Sequence, residues 1–377
     1  MLNVTKSFLP PEEEYTRYLK GIWERVWLTN HGPLVVELER GLREYLGVKH
    51  LFFVSNGTIA IQIALKAACD TPGEIITTPF SYVATTSSIV WEGHRPVFAD
   101  IDPETLCLDP VKAEALITPA TRAILATHVF GTPCDIDAFD ALSARTGIPV
   151  IYDAAHAFGV TRNGSSILRN GAVSTLSFHA TKVFHTAEGG GIVTEDDALA
   201  HKISYLRNFG HNGPEAFQGL GVNGKCSEFH AAMGLAVLPH VPRLIRERRE
   251  LSDWYKKELS SVIGVPNSSY LSRPTLHTES ESNFSYYPVL FRCEEELLEC
   301  VGLLKEAQIT PRRYFYPSLA TLPYVHRPAP TPITDEVCKR ILCLPFYPGM
   351  THDDVRSVSD VILGFFASMS GPQVANL

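Results

Sequence analysis

Lys182 and Asp153 are the two residues of this sequence whose types and placement promise chemistry. Lys182 stands in Ser177-Phe-His-Ala-Thr-Lys182-Val-Phe-His-Thr-Ala-Glu188-Gly-Gly-Gly191, just past a short apolar run over Val173 to Phe178 and just before a glycine cluster. Asp153 ends a second apolar run, Val150-Ile-Tyr-Asp153, and is followed by Ala-Ala-His156-Ala-Phe-Gly159. If both runs are strands of one sheet, an amine and a carboxylate arrive at the same rim. Pyridoxal 5'-phosphate (PLP) needs that pair: the amine condenses with its aldehyde, and the carboxylate keeps its pyridinium nitrogen protonated. Lysines after strands are common, so the pair gains its meaning from the residues around it.

Ser55-Asn56-Gly57-Thr58 closes an earlier strand and opens a helix. Glycine there lets the backbone come close to a phosphate, which free N–H groups and the helix dipole attract. A plain N-cap by Ser55 or Thr58 is the structural alternative. His156, three residues past Asp153, shares its face if the segment is helical and could hydrogen-bond a phenolate oxygen; a satisfied core histidine is the bland reading. Ser177 and Thr181 offer hydroxyls beside Lys182, suited to a phosphate or to the backbone. Tyr82, after Pro79-Phe-Ser, could stack on a flat ring or simply pack. Glu188-Gly-Gly-Gly191 could be a tight turn before a strand. Gly219-Leu-Gly221-Val-Asn-Gly224 has the letters of a dinucleotide fingerprint but follows a Gly-, Asn- and Pro-rich loop with no βαβ unit around it. Cys226 and His230 share a helical spacing without further ligands, so no metal is expected.

Seven short apolar runs alternate with helical stretches: Leu51–Val54, Glu74–Thr78, Pro96–Ala99, Arg122–His128, Ile148–Asp153, Val173–Phe178 and Gly191–Thr194. Helices are expected near Gly57 to Ala68, Tyr82 to Trp91, Val111 to Leu116 and Asp135 to Thr146. Such alternation indicates an α/β fold with a mainly parallel sheet, whose ligands gather at the carboxyl ends of the strands. From about Leu244 the texture changes. A charged helix to Leu259 leads into a Pro/Ser-rich stretch over Pro266 to Ser285, then a strand (Tyr286 to Phe291), a helix (Glu294 to Ala307), an extended piece (Pro311 to Tyr316) and helices near Asp335 and Asp353. Residues 1–243 are therefore read as an N-terminal segment with a large α/β domain, and 244–377 as a small α+β domain that part of the N-terminal segment joins.

At 377 residues the chain has room for these two units. A formal net charge of −8 argues against nucleic acid as the main partner, and the basic run from Arg243 to Arg249 is interrupted by Glu247 like a solvated helix face. No stretch approaches a membrane span, and the start lacks the pattern of a signal peptide. The expected location is the cytoplasm, with the eight cysteines reduced.

Trp27-Leu-Thr-Asn30, Ser55-Asn-Gly-Thr58, Asp153-Ala-Ala-His156-Ala, Ser177-Phe-His-Ala-Thr-Lys182, Glu188-Gly-Gly and Asn223-Gly-Lys-Cys-Ser-Glu228 occur in the order and spacing of a known group. The chain resembles the DegT-type sugar-nucleotide aminotransferases, a branch of the fold-type-I PLP enzymes, from about Val4 to its last helix. The resemblance implies that Lys182 holds the cofactor and shuttles a proton, with Asp153 on the pyridine nitrogen and His156 near the ring hydroxyl, where relatives often have glutamine. It further implies a phosphate cradle of Gly57, Thr58 and Ser177, with Tyr82 stacked on the cofactor face. Asn223 matches an asparagine that reaches the phosphate of the neighbouring subunit, which implies a homodimer with shared sites.

Within the family, Val4–Pro11, Trp27–Asn30 and Arg312–Pro317 look most like the viosamine-type transaminases. These imply L-glutamate as donor and a dTDP-linked 4-keto-6-deoxy sugar as acceptor, with amination at C3 of a 3-keto sugar nucleotide as the alternative. A sugar dehydratase of this group tends to replace the lysine with histidine, and a non-catalytic regulatory paralogue predicts a damaged site; here Lys182, Asp153 and Ser177 are all present. Three positions depart from the usual pattern: His185 (often asparagine), Gly191 (often alanine) and Cys226 (often methionine or arginine). They are expected to bear on substrate contacts and not on Lys182.

Overall fold

A computed structural model describes residues 1–264, 270–276, 279–325 and 329–369. Its centre is a seven-stranded sheet of β1 (His50–Val54), β2 (Glu74–Thr77), β3 (Arg95–Phe98), β4 (Thr121–Thr127), β5 (Val150–Asp153), β6 (Val173–Ser177) and β7 (Gly190–Thr194). The spatial order is β1-β7-β6-β5-β4-β2-β3, with β7 antiparallel to both neighbours and every other pair parallel. The fold is α/β, with a large and mainly parallel seven-stranded sheet, as expected. Because side chains alternate across a strand, each strand feeds two cores. Val54, Ile75, Leu125, Ile151 and Ile192 pack on one face, while Phe53, Ile76, Ile124, Tyr152 and Val193 pack on the other. With both faces covered, the strands read as nearly continuous apolar runs, which is why they stand out in the sequence.

The helices that matter to the site are α1 (Glu12–Arg25), α2 (Pro33–Leu46), α3 (Gly57–Ala68), α4 (Val83–Trp91), α5 (Glu228–Val237) and α6 (Val241–Glu258). Helix α3 runs back from the rim after β1 and starts on Asn56, whose side chain accepts the N–H of Ile59. The start of α2 is held from far along the chain: the fully buried carboxylate of Glu228 accepts the N–H groups of Leu34 and Val35, both at 2.9 Å. The Glu228 N–H in turn donates to the carbonyl of Leu28. Two motifs that are distant in sequence, residues 27–30 and 223–228, thus lock one helix start. Glu228→Ala leaves two buried donors without partners and removes an anion from the positive end of α2. The expected loss of stability is about 2–4 kcal/mol, read as a lower urea midpoint with an unchanged slope.

The remainder of the chain builds a three-stranded antiparallel sheet from Leu271–Ser272, Tyr287–Phe291 and Ile341–Leu344. Leu2–Asn3 pairs in parallel with Ile309–Thr310, so the first residues join this C-terminal part. The extended piece from Pro311 to Tyr316 makes a single bridge, Arg312 with Cys343, after which the chain turns; Pro311 brings no N–H to extend the pairing. One expectation needs correction. Residues 154–160 are two successive turns and not a helix. There the carbonyl of His156 is taken by Asn283 and Ser285, and Gly159 has φ +74°, so no helical ladder can propagate. Part of the Pro266–Ser285 stretch lies outside the described residues.

Candidate functional site

A cavity of about 300 Å³ opens on the rim formed by the carboxyl ends of β1, β2, β4, β5 and β6. Seven of the eight expected site residues line it: Gly57, Thr58, Tyr82, Asp153, His156, Ser177 and Lys182. Asn223 does not. It is exposed and paired by a bridge with Asn208, away from its own chain's cavity.

Asp153 is the last residue of β5 and is buried. Its Oδ2 accepts the hydroxyl of Thr85 at 2.7 Å and its Oδ1 the N–H of Ala155 at 3.1 Å. Behind Thr85 stands a file of hydroxyls. Since Thr85 donates to Asp153, Ser81 donates to Thr85 (2.7 Å) and Thr127 to Ser81 (3.1 Å). Each bond polarises the next toward the carboxylate. Burial nonetheless raises the Asp153 carboxyl above the usual range, against the pull of Thr85, Ala155 and the Lys182 charge. A cation placed against it reverses that direction.

Lys182 sits in the loop after β6, and burial brings its amine down to about 8, with Asp153 and Tyr82 opposing. About a fifth of the amine is therefore neutral near physiological pH, far more than for an ordinary lysine, as a nucleophile or base requires. His156 accepts the N–H of Phe130 on Nδ1 at 3.2 Å. Burial holds the ring neutral, its pKa well below the ordinary value, which leaves Nε2 as the protonated nitrogen and a free donor. Its plane lies within 8° of those of Phe130 and Phe315.

The start of α3 also contributes to the lining. The N–H groups of Gly57 and Thr58 belong to its first turn, without helix carbonyls to donate to. A Cβ at position 57 would come within 3.0 Å of Ser177 Cβ, so only glycine lets the helix start and the Ser177 hydroxyl share this corner. Free helix-start N–H groups beside a serine hydroxyl, a buried carboxylate and a low-pKa lysine line one cavity, a set that fits PLP.

Sequence reasoning missed several lining residues. Thr5 comes from the N-terminal segment, His179 and Glu188 flank the Lys182 loop, and Tyr286, Arg312, Tyr314 and Phe315 come from the C-terminal part. Most of them lie in motifs that mark the family, within Val4–Pro11, Glu188-Gly-Gly and Arg312–Pro317, but their place in the lining comes from contacts made across the fold. The three unusual positions lie outside the lining. His185 is buried, taking the Ala187 N–H on Nδ1 and meeting the Phe8 carbonyl through Nε2 at 2.6 Å. At Gly191 the ring of Phe178 occupies the space of a methyl group, whose Cβ would lie 2.9 Å from it. Cys226 is buried. The Gly219–Gly224 run lies in a loop held by the Asn208–Asn223 bridge, with no strand before it and no helix at its glycines.

Known proteins resemble this chain in sequence and in fold. Residues 11–363 match the model of the DegT/DnrJ/EryC1/StrS aminotransferase family. The dTDP-4-amino-4,6-dideoxy-D-glucose transaminase of Shigella dysenteriae is 40% identical over 364 residues, 95% of this chain and 97% of that protein. Among solved structures, DesI in the presence of its TDP-sugar product superposes with a TM-score of 0.90 at 32% identity, covering 98% of this chain and 95% of that one. NtdA from Bacillus subtilis with the cofactor PMP bound superposes at 0.87 and 26% identity, covering 94% of this chain and 82% of that one. The chain belongs to the DegT/DnrJ/EryC1/StrS aminotransferase family and is a PLP-dependent sugar aminotransferase.

Proposed function

We propose that this protein moves the amino group of L-glutamate to the C4 ketone of dTDP-4-keto-6-deoxy-D-glucose, giving dTDP-4-amino-4,6-dideoxy-D-glucose. The observation that carries this reading is the near full-length likeness to the Shigella transaminase of that name. PLP, when bound, supplies an aldehyde that takes up amines and a ring that accepts the electron pair released when a Cα–H bond breaks. The chain's residues do the rest. Gly57, Thr58 and Ser177 hold the phosphate, Tyr82 covers the ring face, and His156 Nε2–H donates to the ring oxygen. Asp153 keeps the ring nitrogen protonated. Lys182 would hold the cofactor, and its free amine would serve as the base that moves the substrate proton.

The proposal extends to a homodimer with shared sites in the cytoplasm. Asn223 is exposed outside its own chain's cavity, and exposed apolar side chains cluster in sequence near it (Phe217, Leu220, Val222) and at the end of α1 (Trp23, Val26, Trp27, Leu28). Such unpartnered surface suits an interface between copies. No helix among the described residues is long and apolar enough to cross a membrane. A boundary near residue 243, at the start of α6, divides the large α/β unit from the C-terminal one. The test is incubation of the PLP-loaded protein with glutamate and a panel of dTDP-, UDP- and GDP-linked keto sugars, with the new amine mapped by NMR. Amine on C4 of the dTDP sugar is expected; amine on C3, or no use of the dTDP sugar, overturns the substrate assignment.

A further inference from the structure

Arg312 carries the single guanidinium among the residues lining the cavity, and among the described residues no carboxylate is paired with it. The adjacent arginine makes the contrast. Arg313 donates to Glu294 at 2.6 Å and to the carbonyls of Cys338 and Lys339 at 3.4 and 2.9 Å, with its head group 3.5 Å from the centre of the Tyr316 ring. Arg312 is instead fixed through its backbone. Its N–H donates to the Cys343 carbonyl at 3.0 Å and its carbonyl accepts the Cys343 N–H at 2.8 Å. The guanidinium carbon rests 4.5 Å from the centre of the Tyr314 ring, which steadies the head group without using its donors.

The position of Arg312 narrows what those donors can meet. The Tyr314 ring is 5.5 Å from that of Tyr286, which is 4.8 Å from that of His156. Arg312 stands at the outer end of this line of rings and is exposed, whereas His156 at the inner end is buried. Any substrate brings its reacting carbon to Lys182, and Arg312 is the exposed cation of the same lining. An amino-acid donor such as glutamate reaches no farther from that carbon than its side-chain carboxylate. A nucleotide sugar carries two phosphates beyond its pyranose ring.

We infer that Arg312 is the diphosphate receptor of the site, its guanidinium taking phosphate oxygens of a nucleoside-diphosphate sugar while the sugar ketone lies at Lys182. The inference rests on the sugar-nucleotide reading above. A planar fork of N–H donors matches phosphate oxygens two at a time, which a lysine ammonium does not. It also separates the two substrates that share one cavity: the acceptor uses Arg312 and the donor does not.

The test is calorimetric titration of the PLP-loaded protein with dTDP alone. Arg312→Gln is expected to weaken binding by about tenfold or more, with Arg312→Lys falling between that variant and the wild type. The glutamate half-reaction, followed without sugar as bleaching of the yellow colour, stays within about twofold of wild type because no donor contact is lost. Arg313→Gln serves as a control outside the cavity: it lowers the melting temperature and leaves dTDP affinity in place. Unchanged dTDP affinity in folded Arg312→Gln overturns the inference, as does a raised glutamate KM with unchanged dTDP binding, which would give the guanidinium to the donor carboxylate. Failure of the wild type to bind any of dTDP, UDP or GDP also overturns it. Wild type that binds dTDP through Arg312 yet aminates no dTDP sugar refutes the substrate assignment and leaves the role of Arg312 intact.

Discussion

Replacing Lys182 by alanine is expected to lower turnover by about 10⁴-fold or more, because it removes both the attachment point of the cofactor and the proton-transfer base. The yellow colour of the loaded protein is lost with it, and free PLP no longer develops that colour on addition. Transamination at the wild-type rate by Lys182→Ala would remove this residue from the mechanism. The pH dependence supplies a second measure. Burial brings the Lys182 amine down to about 8, so its neutral fraction grows as pH rises and is nearly complete a unit above that value. Colour development on adding PLP to the apoprotein therefore accelerates with pH and levels off above about 9, whereas with an ordinary lysine it still rises beyond pH of about 10. A profile still rising steeply at pH 10 would contradict the environment described for Lys182.

Asp153→Asn is expected to reduce kcat by about 10²–10³-fold while sparing the fold. The amide preserves size but carries no charge to keep the ring nitrogen protonated, so the ring loses its capacity as an electron sink. In the apoprotein the change relieves a cost, since the Asp153 carboxyl is buried and its pKa is raised by that burial. The melting temperature of the apo variant should match or exceed that of the wild type. Loss of activity together with a large loss of apo stability would instead make Asp153 a structural anchor. The same substitution has a signed effect on Lys182. The carboxylate now raises the lysine pKa, so in Asp153→Asn the plateau of colour development moves to lower pH.

Much of this site is legible in the sequence because its parts are local. Gly57 and Thr58 follow β1 directly, Asp153 ends β5, and Ser177 and Lys182 follow β6 within a few residues. A parallel strand brings its carboxyl end to the rim whatever its neighbours are, so the rim address of these residues follows from strand periodicity alone. His156 marks the boundary of that logic. Its side chain lines the cavity as expected, but the helix assumed to aim it is absent. Asn283 and Ser285, more than a hundred residues away, hold its carbonyl, and Phe130 sets its tautomer.

By itself, then, the sequence determined the alternation of strands and helices, the rim positions of Lys182, Asp153, Ser177 and the Gly57–Thr58 turn, and through the order of its motifs the family. The tertiary structure decided the rest. It set the file from Thr127 through Ser81 and Thr85 to Asp153, the clamp of Glu228 on α2, the place of the Arg312 head group at the cavity, and the exclusion of Asn223 from its own chain's site. The physical reason is the range of the interactions. Hydrophobic periodicity and turn chemistry act over a few residues and leave a local trace. A hydrogen-bond partner or a lowered lysine pKa depends on which distant segments pack together and on how much water they exclude.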